Sequence, residues 1–188
     1  MSGQAFPLTV TVQIEERELT GCGRNIGQVD SPRTQMPPLP FEDVGACPFE
    51  GCVYREWTAT RPVTVLKDRN DAASVAFELA AGARVTAITG VVIVVSPGIV
   101  EFTAETDVEA TDGPIRMRPG ETMYLLTNLG EGFVKAWAHG RLHTNVDASR
   151  LKAQRIASSI WWVQVRDASG RVGWTRQTDA FDGKDARA

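Results

Sequence analysis

Long hydrophobic runs are missing from this chain. The longest, Val91-Val92-Ile93-Val94-Val95, falls far short of the roughly 20 apolar residues that a membrane-crossing helix needs. It is β-branched and reads as a buried strand. A basic start followed by an apolar stretch is missing too, so MSGQAFPLTV carries no signal-peptide pattern. An excess of either charge is lacking: 20 bases stand among 23 acids, for a net charge of −3. That argues against the basic face that nucleic acids require and the polybasic patch that anionic membrane surfaces attract.

Histidine and cysteine are scarce. With two histidines and three cysteines, no second cysteine pair or neighbouring histidine completes four zinc ligands. No metal and no cofactor is expected. The motif GxSxG is absent, no glycine-rich loop links a strand to a helix, and Cys47 and Cys52 have no histidine close in sequence. His139 and His143 are four apart, but Gly140 between them makes a hairpin, not a helical face. The acids Asp68, Asp71, Glu105, Asp107, Glu109 and Asp112 read as solvated loop charge; paired-carboxylate catalysis needs two that converge in a cleft. An enzyme is the least favoured class, to be revived by a deep pocket holding a histidine beside a buried carboxylate. Cys47 and Cys52, in CPFEGC, are either a disulfide closing a short loop that Pro48 and Gly51 help to turn, or free thiols.

What is present is a series of short alternating strands. Leu8, Val10, Val12 and Ile14 share one face, and the chain returns through Leu19 to Cys22 as a hairpin. Residues 25–50 hold Pro32, Pro37, Pro38, Pro40 and Pro48 without periodicity, which predicts a semi-rigid linker. Residues 53–58 alternate as a strand, residues 66–71 form a polar loop, and residues 76–88 form a hairpin turning at Gly82. Asp147 to Ser158 predicts one or two helical turns capped by Asp147 or Ser149.

An internal repeat runs through this pattern. LAAGARVTAITG at 79–90 recurs as MRPGETMYLLTNLG at 117–130, and WWVQVRDASGRV at 161–172 is echoed by GFVKAWAHGRL at 132–142. Repeats of this kind signal duplicated structural units.

Residues 63–90, VTVLKDRNDAASVAFELAAGARVTAITG, followed by residues 161–175, WWVQVRDASGRVGWT, resemble one bacterial SH3-like barrel split by about seventy residues. The resemblance implies a mainly β fold of two small SH3-like barrels, one inserted in the other, with an N-terminal hairpin and a short helical return. The expected boundaries are a hairpin at 1–24, a linker at 25–50, a first barrel at 51–90 plus 159–182, an inserted repeat at 99–143 and a connection at 144–158. The rival is a simple tandem whose first copy closes through residues 92–102. Residues 1–24 also resemble the closing hairpin of envelope β-domains related to lysozyme inhibitors and META-type proteins. That resemblance implies a longer exported protein in which Met1 is internal and Cys22 pairs upstream. The expected compartment is then periplasmic or extracellular, and otherwise the cytoplasm.

The SH3-like resemblance further implies a non-catalytic envelope module that binds cell-wall peptides or a partner protein. The alternative is an interaction or inhibitor domain of a longer secreted protein or lipoprotein. The implied groove is lined by Lys67, Asp68, Arg69, Asn70, Trp161 and Gln164. Successive side chains of a strand alternate, so one of Trp161 and Trp162 enters the core and the other faces out. An outward tryptophan beside Tyr54, Trp57 or Phe181 makes a stacking platform for a sugar or peptide; the competing expectation packs all of these rings in a seam between the two units.

Overall fold

The structure, a computed structural model, describes residues 8–14, 17–23 and 35–186. The chain falls into two compact units, Met1–Pro32 and Arg33–Ala188. In the first, β1 (Leu8–Ile14) and β2 (Arg17–Gly23) form an antiparallel hairpin in which Leu8 faces Gly23 and Ile14 faces Arg17.

The second unit is mainly β, and no α-helix occurs among its described residues. It opens with β3 (Phe41–Val44), β4 (Glu56–Ala59), β5 (Val63–Leu66), β6 (Val75–Leu79) and the long β7 (Arg84–Ser96). There follow β8 (Gly98–Glu101), β9 (Thr106–Val108), β10 (Ile115–Met117), β11 (Thr122–Gly130), β12 (Phe133–Ala138) and β13 (Arg141–Asp147). The chain ends with β14 (Ser158–Asp167), β15 (Val172–Thr175), a 3-10 turn at Thr178–Ala180 and β16 (Phe181–Asp182).

The larger sheet runs β16-β4-β7-β14-β15-β5-β6, with β3 also on β7, and curls into a half-barrel. Its long-range seam is β7 against β14, from Val85 opposite Asp167 to Ser96 opposite Ser158. Trp174 lies opposite Leu66, so residues 63–66, 84–96 and 158–175 share one sheet. The valines at 91–95 do not start a new strand; they continue β7 past Gly90. A bulge at Ile88 explains how: one extra residue re-phases the strand. Val85 and Ala87 face the core before it, and Val92 and Val94 face inward after it. The core beneath holds Trp57, Val63, Val65, Phe77, Val163, Val165 and Phe181.

The smaller sheet runs β13-β12-β11-β8, with β9–β10 as a separate hairpin. It has its own core of Val100, Phe102, Val108, Ile115, Met117, Met123, Ala136, Ala138 and Val146. Val92, Val94 and Leu126 form a third cluster, with Phe41, Trp137 and Trp161 packed around it.

The two regions repeat one frame. β4 pairs β7 and β5 pairs β6; likewise β8 pairs β11 and β9 pairs β10. Three backbone hydrogen bonds recur position for position. Ala59 N to Ala83 O, Gly82 N to Ala59 O and Ala83 N to Ala80 O correspond to Phe102 N to Glu121 O, Gly120 N to Phe102 O and Glu121 N to Arg118 O. Gly82 and Gly120 both have φ of 82°, a left-handed conformation that favours glycine at the turn.

Two segments differ from the sequence expectation. Residues 148–157 form no helix. The Asp147 carboxylate accepts from Ser149 N and Oγ, which bends the chain after β13, and such local bonds compete with helix formation. The chain then runs extended along β8: Gln154 N donates to Ile99 O, and Ile99 N to Arg155 O. Within the stretch read as a proline-rich linker, Phe41–Val44 is a strand on β7, with Phe41 opposite Val94 and Val44 opposite Val91.

Candidate functional site

Register on β14 sorts the aromatic side chains. Val163 lies opposite Thr175, Gln164 opposite Trp174, and Val165 opposite Gly173. Val163 and Val165 belong to the core. Trp162, Gln164 and Trp174 therefore stand on the other face, and Leu66 and Val75 continue the row across β5 and β6.

Trp161 is on the inner side with Tyr54 and Trp57. Its ring centroid is 6.5 Å from Tyr54, 6.0 Å from Trp57 and 5.9 Å from Phe49. Trp161 Nε1 donates to the Tyr54 hydroxyl at 3.2 Å, and that hydroxyl donates to the Ala46 carbonyl. Burial raises the Tyr54 pKa; the Trp161 bond opposes the rise, and the nearby Asp43 adds to it. Gly90 lies directly under this cluster. A Cβ there would meet the Tyr54 hydroxyl and stand 2.6 Å from Trp161 Nε1. Tyr54, Trp57 and Trp161 thus pack together inside, and Trp57 also packs on Phe181 at 5.7 Å.

The outer face carries a cleft of about 230 Å³ lined by Thr64, Leu66, Asp71, Trp162, Thr175, Arg176 and Gln177. Trp162 is only 3% exposed. Arg176 Nε meets Asp71 Oδ1 at 2.9 Å, which ties the polar loop to the far side of the cleft. Gln177 Oε1 accepts from Thr64 N at 2.9 Å.

The polar loop shapes itself. Lys67 N donates to Ser74 O, the Asp68 carboxylate accepts from Arg69 N, and the Asn70 amide oxygen accepts from Ala72 N. Lys67, Asp68 and Asn70 lie exposed on this loop. Arg69 reaches back over the sheet: its guanidinium carbon is 5.4 Å from the centre of the Trp174 ring, and its Nη1 donates to Glu42 Oε2 at 2.9 Å. Of the residues anticipated for the groove, Arg69, Trp162 and Gln164 come together on this face. Lys67, Asp68 and Asn70 build the loop above it, and Tyr54, Trp57 and Trp161 lie on the inner side.

Sequence reading passed over Glu42, Leu66, Asp71, Arg176 and Gln177 as members of this face. The alternation of Gly173, Trp174 and Thr175 carried part of the signal. Glu42 carried none, because its place depends on β3 joining β7 across some fifty residues of sequence.

Elsewhere, Cys47 and Cys52 are joined in a disulfide. The side chain of Cys22 lies outside the described residues. His139 Nε2 lies 3.0 Å from Glu121, which is buried. His143 is buried in the smaller core, opposite Ala136, with its Nδ1 3.4 Å from Asp112 Oδ2. Neither histidine lines the cleft described above, or a second one at Glu50, Leu129, Glu131, Phe133 and Asn145. No cluster of three metal-ligating side chains occurs among the described residues, and no helix among them is long and apolar enough to cross a membrane. Set beside family models, curated proteins and solved structures, the chain matches none.

Proposed function

We propose that this chain is a non-catalytic binding module of a bacterial envelope protein, made of two SH3-like barrels with the second set inside the first. It takes an extended peptide of the cell wall, or a peptide segment of a partner protein, on the outer face of β14, β15 and β5. The observation that carries this reading is the cleft floored by Trp162, continued by the row Gln164, Trp174, Leu66 and Val75. The part-exposed Trp174 ring and the edge of the buried Trp162, beside a few fixed polar groups, suit a peptide better than a charged polymer. The twofold frame and the Cys47–Cys52 disulfide are consistent with it, because disulfides persist in oxidising compartments.

Retention on purified peptidoglycan tests the reading. The protein should be held, and Trp162→Ala and Trp174→Ala should each lose most of that retention while the circular-dichroism spectrum stays β. No retention of the parent protein, or equal retention of both variants, contradicts it.

A further inference from the structure

We propose that Trp174 and Glu42 form a cation-binding subsite of this face, filled in the free protein by Arg69 of its own loop and in the complex by a guanidinium or ammonium group of the bound peptide. The inference rests on the binding reading above and names the ligand chemistry of one subsite.

Three features of the site point this way. First, the subsite has the two components that recognise an organic cation. The Trp174 ring offers a π face 5.4 Å from the Arg69 guanidinium carbon, and Glu42 Oε2 accepts from that guanidinium at 2.9 Å. A cation over a tryptophan face is attracted by the ring quadrupole, and the carboxylate supplies a charge-assisted hydrogen bond. Second, the components come from different elements. Glu42 is on β3, Trp174 on β15, and Arg69 on the loop between β5 and β6. The sheet therefore holds ring and carboxylate in place whether or not the loop's cation is present.

Third, the occupant is held loosely. The Arg69 and Glu42 side chains are 28% and 45% exposed, and ion pairs in contact with solvent contribute little and are screened by salt. The other fastening of the loop, Arg176 to Asp71, is also between exposed side chains. These contacts with Arg69 are weak, so a cation presented by a peptide lying along the outer face of β14 and β15 competes on favourable terms. Displacing Arg69 lifts the loop and opens the cleft beneath Asp71. The loop is then a self-ligand that excludes uncharged peptides and yields to cationic ones.

The indole N–H signals of the protein, read by NMR during titration with N-acetyl-arginine amide, test this. In Arg69→Ala the Trp174 signal should move, with an apparent affinity roughly threefold or more tighter than in the parent protein, since the intramolecular competitor is gone. Adding Glu42→Gln to Arg69→Ala should weaken that binding, and N-acetyl-norleucine amide, of similar length without charge, should leave the signal still. Unmoved Trp57 and Trp161 signals show that each variant is folded. A Trp174 signal that stays fixed in Arg69→Ala, an undiminished response in the double variant, or an equal response to norleucine amide overturns the subsite. Peptidoglycan retention that survives any of these results leaves the broader binding reading standing, so the two fail separately.

Discussion

The larger and smaller sheets share a frame and put it to opposite uses. Lys135 on β12 occupies the repeat position of Gln164 on β14, and Trp137 the position of Arg166. In the smaller sheet this outer face is covered by the chain's own segment: Lys135 Nζ binds Asp43 Oδ1 at 2.7 Å, and Trp137 Nε1 donates to Gln35 O. In the larger sheet the same face carries the open cleft at Trp162. The inner face diverges as well. Gly173 passes beneath Leu66 O and Val65 with no room for a side chain, whereas the equivalent His143 fills the smaller core. A shared frame of strand pairings therefore fixes where strands lie, and single side chains decide which face stays free.

The sharpest way to break the comparison is to empty one core at a time. Trp57→Ala should cost about 3–5 kcal/mol and Met117→Ala about 2–5 kcal/mol, read from urea unfolding. Because Val92 and Val94 of the larger sheet pack with Leu126 of the smaller one, each variant should still unfold in one transition. Two separate transitions would show that the regions are independent.

Gly90→Ala probes the larger region alone. Its Cβ meets Tyr54 and Trp161, and forced overpacking of this kind costs about 1–3 kcal/mol. Near-UV circular dichroism should report the displaced rings, and an unchanged spectrum at full stability would refute the close approach. Asp43→Asn probes the covered face. It removes the charge that Lys135 meets beside the buried Asp43 side chain, at a cost of about 1–3 kcal/mol. A cost no greater than that of an exposed control such as Asp179→Asn would mean that Asp43 does not hold the cover in place.

The smallest effect is electrostatic and belongs to the hairpin of β14 and β15. Partial desolvation pushes the Asp167 carboxyl up, but bonds from Arg171 and Ser169 outweigh it and hold the group at about 2. A depressed carboxyl stabilises the fold above the unfolded value near 3.9 and loses that contribution as pH falls toward the folded value. The Tm difference between parent and Asp167→Asn should therefore be largest above about pH 5 and shrink toward pH 2. A difference independent of pH would contradict the role of its charge.

Much of the β framework is legible in the sequence, because period-two alternation and the turn glycines Gly82, Gly120 and Gly170 speak locally. The pairing of β7 with β14 is anticipated as well, by reading residues 63–90 and 161–175 as one split unit. What alternation does not reveal is the bulge at Ile88, which reverses the faces of the valines beyond it. Nor does it reveal β3, four residues among prolines that pair with distant β7. At the site, the pairing of neighbouring tryptophans predicts opposite faces for Trp161 and Trp162. It does not say that the cleft would form on the Trp162 side, because that depends on where the polar loop is fastened: by Arg69 to Glu42 and by Arg176 to Asp71.

The five tryptophans report on the central claim in one spectrum. With indole N–H signals assigned, the protein is titrated with soluble peptides released from peptidoglycan. The account predicts that Trp162 and Trp174 move together, while Trp57 and Trp161 inside and Trp137 under its cover hold still. Movement of Trp137 with Trp162 and Trp174 unmoved, or no movement at all, would contradict it.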